Sequence, residues 1–95
     1  MKLFLKIRAM TYDLETLENI AWTNWMRFAH NQRVQHGVSL NLPSGTAPSI
    51  KESEEGRIIA TFFNSTDILQ VFVWNERKKS FEYSEELTLQ AKQAE

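Results

Sequence analysis

Residues 2–9 alternate along the chain: Leu3, Leu5, Ile7 and Ala9 fall on one face, with Lys2, Phe4, Lys6 and Arg8 on the other. A period of two is that of a β-strand with one wet face. Lysines on the wet face discourage edge-to-edge pairing, so the pattern suits an edge strand.

The period then changes. From about Asp13 to His36, Leu14, Leu17, Ala21, Trp25, Phe28 and Ala29 share one stripe of a helix, with Thr16, Asn19, Thr23, Arg27, His30 and Asn31 opposite. Thr11 or Asp13 can cap its start, and Glu15 and Glu18 stand near its positive pole. Arg33 and His36 stand near the negative pole, and Gly37 suits the left-handed residue that ends a helix. Trp22 and Met26 widen the apolar arc to about half the circumference, more than packing one helix on a sheet requires.

Beyond the helix, Val38-Ser39-Leu40-Asn41-Leu42 alternates and predicts a short strand. Residues 43–56, rich in Ser, Pro, Gly and Glu, predict a mobile loop. Arg57–Phe63 and Ile68–Trp74 are the clearest strands, joined by a turn at Asn64-Ser65-Thr66-Asp67. Asn75-Glu76-Arg77-Lys78 leads to a further strand over Lys79–Ser84, and Glu85–Glu95 reads as a short helix capped by Ser84 or a frayed tail.

The expected fold is α+β: one long helix packed across an antiparallel sheet of about four to five strands, in the order β-α-β-β-β-β, with a possible short C-terminal helix. This order resembles the cystatin-like layout, in which a strand and a long helix precede four antiparallel strands. The resemblance is one of layout alone. The inhibitory Gln-x-Val-x-Gly hairpin is missing, so it implies no inhibitor activity. The helix, strands and helix of residues 13–95 also follow the order of a double-stranded-RNA-binding domain. The acidic run Ser84-Glu85-Glu86-Leu87 stands where that domain needs lysines, so that comparison is set aside.

Ninety-five residues predict a single domain over 1–95, and a hydrophobic share of 42% is that of a globular chain. A chain of this size buries roughly 60–65% of its unfolded surface, a modest core that a partner would reinforce. The net charge of −1 creates no field that selects nucleic acid or membrane. The lack of cysteine favours a reducing compartment, and Lys6 and Arg8 interrupt the apolar start well short of a signal peptide. The expectation is a cytoplasmic protein without membrane association, in which Asn64-Ser65-Thr66 is a turn and not a glycosylation site.

Candidate chemistry is sparse. His30 and His36 are six residues apart, so they fall on different sides of a helix and do not pair as metal ligands. Ser44-Gly45-Thr46 has neither the G-x-S-x-G setting of a nucleophile nor the ending of a phosphate-binding loop. No catalytic residue, metal or cofactor is expected, although a small enzyme or ligand-binding protein stays open as an alternative.

Two surfaces carry more weight. In the hairpin from Phe72 to Tyr83, the rings of Phe72, Trp74, Phe81 and Tyr83 can share one face below the cations Arg77, Lys78 and Lys79. Rings that stack on bases beside cations that meet phosphate describe single-strand recognition, with Trp74, Arg77, Lys78 and Lys79 as the contacts. Strands 57–63 and 68–74 are also apolar on both faces, whereas one helix covers only one. An uncovered apolar sheet face marks an interface, here with Ile59, Phe63, Phe72, Trp74, Phe81 and Tyr83 as its candidate residues. The sequence thus points first to a protein-interaction module, a homodimer or a small subunit or inhibitor of a larger assembly, and second to a nucleic-acid-binding accessory protein.

Overall fold

The structure is a computed structural model that describes residues 2–44, 47–65 and 67–94. Two strands come first, β1 (Phe4–Ile7) and β2 (Met10–Asp13), followed by the helix α1 (Leu14–His36). Four more strands follow, β3 (Ser49–Glu52), β4 (Ile58–Asn64), β5 (Asp67–Asn75) and β6 (Ser80–Tyr83), and α2 (Glu85–Gln93) comes last. The strands β3-β4-β5-β6 form an antiparallel sheet in that order, while β1 and β2 form a two-stranded sheet of their own. The α+β layout is therefore the expected one, with one change at the start. The leading strand is a hairpin that turns at Arg8-Ala9. Arg8 takes a left-handed φ of +56°, which costs a side-chain-bearing residue about 1–2 kcal/mol and which nothing in an Arg-Ala pair advertises.

The helix forms where its signals stand. The Asp13 carboxylate accepts the N–H of Glu15 at one end, and Gly37, at φ +66°, donates to the carbonyls of Arg33 and Gln32 at the other. Leu17, Ala21 and Trp25 are buried, and all six residues assigned to the wet face are exposed. The stripe lies on the sheet face formed by Ile58, Ala60, Phe62, Phe72 and Phe81, and together these residues make the core. Trp22 stacks between Trp25 and Phe62, at 5.6 Å from each ring. Trp25 also donates its indole N–H to Gln70 Oε1 at 2.8 Å, so the one polar atom of this ring is satisfied inside the core.

Two connections differ from expectation. Val38–Leu42 is irregular and pairs with no strand among the described residues; of its side chains only Leu40 packs against the core. The expected loop 43–56 contains β3, which pairs with β4 from Ser49↔Thr61 to Glu52↔Ile58. The hairpin closes through Ser53–Gly56, where Gly56 supplies the left-handed φ of +77° that the turn needs. Residues 45 and 46 of that loop, and Thr66 of the turn after β4, lie outside the described residues.

Helix α2 forms as its cap predicts, with Ser84 Oγ accepting the N–H of Leu87. It packs against β5. Where β6 has ended, Ser84 N–H donates to the carbonyl of Val71, and Val71 N–H donates to Thr88 Oγ1 at 2.8 Å. The edge of β5 that β6 leaves open is thus closed by the start of α2.

Candidate interaction surface

The six residues expected to share one partner surface divide between the two sides of the sheet. Phe72 and Phe81 are buried under α1, at 1% and 3% exposure, so they belong to the core and not to a surface. Trp74 is half-buried beside them, edge-on to Phe81 and to Tyr12. Tyr83 lies at the rim of this face and stacks on Phe28 with ring centres 4.4 Å apart. Ile59 and Phe63 point to the opposite face of β4, where both are half-buried. On that face Thr61, Val71 and Val73 are buried, with α2 packed along β5. The second apolar face thus has a cover within the chain, and the short helix supplies more of it than its few apolar residues suggest.

The cations at the hairpin tip are also largely committed. Lys79 pairs with Glu76, and Lys78 pairs with Glu82 at 3.2 Å. Asn75 donates to Glu82 as well, and the Asn75 and Lys78 hydrogen bonds, with the charge of Lys78, hold the Glu82 carboxyl below its ordinary pKa. Trp74 donates its indole N–H to Glu76. Arg77 alone of the three cations makes no ion pair among the described residues. Glu76 also accepts the hydroxyl of Tyr12, from 64 positions earlier, and so fastens the β1–β2 hairpin to the end of β5. The tip is an internal latch in which the expected stacking ring and two of the expected phosphate contacts are already used.

Exposed apolar side chains gather elsewhere. On α1, Met26 is 50% and Val34 67% exposed; just beyond it, Val38 is 43% and Leu42 74% exposed. Met26, His30 and Val34 follow one another at intervals of four, a stripe about 12 Å long on one side of the helix. A groove of about 340 Å³ runs between this part of α1 and the segment after it, with Met26, His30 and Arg33 on one wall and Leu40 and Leu42 on the other. Between Glu18 and Glu52 the chain carries no acidic residue, whereas Arg27 and Arg33 stand beside the stripe. The surface is therefore apolar, cationic and free of internal carboxylate partners. The arc widened by Met26 is the sequence signal that could have located it. The companion signal, a run of more than thirty residues without an acid, is invisible in the net charge.

No chemistry is assembled at the other candidates. His30 lies in the groove wall and His36 at the exposed end of α1, and no group of three His, Asp or Glu that could hold a metal occurs among the described residues. No helix among them is long and apolar enough to cross a membrane. Comparison with protein-family models, with curated proteins and with solved structures finds no match to this chain.

Proposed function

We propose that the protein is a non-enzymatic protein-interaction module, a small subunit or inhibitor that docks on a larger assembly through the C-terminal half of α1 and residues 38–42. The observation that carries this reading is the exposure of Met26 and Leu42 on the two walls of one groove, with Val34 and Val38 exposed on the chain between them. Scattered apolar residues on a surface need no explanation, but a grouped set rimmed by charge favours a partner. The homodimer version is disfavoured by electrostatics. A two-fold contact through this face brings two copies of one cationic patch together, Arg33 in each, and no carboxylate lines the groove to relieve them.

A photo-crosslinking residue placed at Val34 or Leu42, and at Leu89 on α2 as a control, tests the reading in native cells. The expected result is one discrete protein adduct from both Val34 and Leu42 and none from Leu89. The purified adduct partner must then bind the unmodified chain, and the binding must weaken at least tenfold on Leu42→Asp. Equal adducts from all three positions, or adducts with nucleic acid, overturn the reading.

A further inference from the structure

The segment after α1 combines two properties that the fold itself leaves unused. Its sequence alternates as that of a strand does, Val38, Leu40 and Leu42 with Ser39 and Asn41 between them. Its backbone, however, pairs with nothing: no hydrogen bond joins the amides or carbonyls of Ser39, Leu40, Asn41 or Leu42 to any described residue. The run is held at both ends. Val38 N–H donates to Gln32 O at the end of α1, and Ser44 N–H donates to Phe63 O at the end of β4. Leu40 anchors its middle in the core. A tethered stretch of strand-forming sequence with free donors and acceptors is suited to pairing with another strand, as in recognition by strand addition.

We infer that residues 38–42 receive an extended, acidic strand from the partner, which pairs with this backbone and sets alternate apolar side chains in the groove against α1. The inference rests on the reading above and names the partner's chemistry. Acidic side chains are required because Arg33 lines the groove, makes no ion pair among the described residues, and faces no carboxylate in the groove lining. A helical ligand leaves the free backbone groups of 39–42 unanswered, since a helix satisfies its own amides internally. A nucleic-acid strand is disfavoured because the one ring in the groove lining, Trp25, is buried, and Arg33 gives a single phosphate contact.

The probes are three peptides: a seven-residue strand alternating Glu and Val, its counterpart alternating Lys and Val, and a Glu-rich amphipathic helix. Amide exchange and chemical shifts of the isotope-labelled protein are the readouts. The Glu–Val peptide should bind saturably and slow exchange at Ser39–Leu42 by at least tenfold. The Lys–Val peptide and the helix should leave these amides unchanged. In Arg33→Glu the preference should pass to the Lys–Val peptide. Absence of protection by the Glu–Val peptide, protection at another edge such as β3, or slow exchange of these amides in the free protein overturns the inference. The cellular crosslinks from Val34 and Leu42 do not depend on strand pairing. Their survival after such a failure would leave an interaction module with a different mode of contact, and their loss would remove both.

Discussion

The indole N–H of Trp25 on α1 donates to the side-chain carbonyl of Gln70 on β5 across 2.8 Å of apolar core. Neither group has access to water in which to find another partner, since Trp25 is 3% and Gln70 9% exposed. The pair fixes where the helix sits along the sheet, because any slide of α1 parts two groups that must be paired.

Gln70→Met keeps the side-chain volume and removes the acceptor. It should cost about 1–3 kcal/mol, the range for leaving one buried donor unsatisfied. Adding Trp25→Phe removes the orphaned N–H, so in a double-mutant cycle the second change should cost less than it does alone. Urea midpoints of the four proteins measure this, and strict additivity would mean that the bond contributes nothing.

The same reasoning separates two substitutions on α2. Thr88 Oγ1 accepts from Val71 N–H and donates to Ser84 O at 2.7 Å, in a position that is 3% exposed. Thr88→Val is isosteric but leaves Val71 N–H without an acceptor, and a loss of about 1–3 kcal/mol should follow. Thr88→Ser retains the hydroxyl and should lose less. Exchange of the Val71 amide should quicken in the Val variant and stay slow in the Ser variant.

Acid should weaken the fold through two carboxylates. At Asp13 the penalty of burial, the largest single influence, is outweighed by the hydrogen bond and charge of Lys2 and the N–H groups of Glu15 and Thr16 taken together, so its pKa is lowered. Glu82 is lowered by Asn75 and Lys78. A group whose folded pKa is below its unfolded one stabilises the fold above the unfolded value, near pH 4, and that stability is lost as pH falls through the folded value. The urea midpoint should thus hold steady from about pH 7 to 5 and fall below about pH 4. In Lys78→Met the fall should be shallower, because the ion pair that lowers Glu82 is gone.

The long helix was legible in the sequence because its stripe, its cap at Asp13 and its stop at Gly37 all agree, and β4 and β5 were legible from their apolar runs, whereas the few apolar residues of α2 left a short helix and a frayed tail both open. The hairpin of β1 and β2 was not. Its turn uses Arg8-Ala9, with none of the residues that normally mark a tight turn, so two strands read as one. β3 carries one apolar residue, Ile50, and one side chain makes no period. The aromatic quartet of Phe72, Trp74, Phe81 and Tyr83 does share a face, as the pattern implied. Which way that face turns depends on where α1 lies, and strand alternation alone does not reveal this. The meeting of Tyr12 with Glu76 spans most of the chain, beyond the reach of any local pattern.

The latch at Glu76 also sets an order of opening. Among the described residues, the β1–β2 ladder lies outside the four-stranded sheet and is fastened to it by the Glu76 carboxylate and by the packing of Leu5, Ile7 and Tyr12. A two-stranded ribbon has little stability of its own, so its release requires only that these few contacts part, while α1 and β3–β6 stay folded. The molecule then has two tiers of cooperativity, a ribbon that detaches at small free energy and a body that opens only on global unfolding. Heat or denaturant should strip the N-terminal ribbon first, and a protease would find its earliest foothold within the first dozen residues.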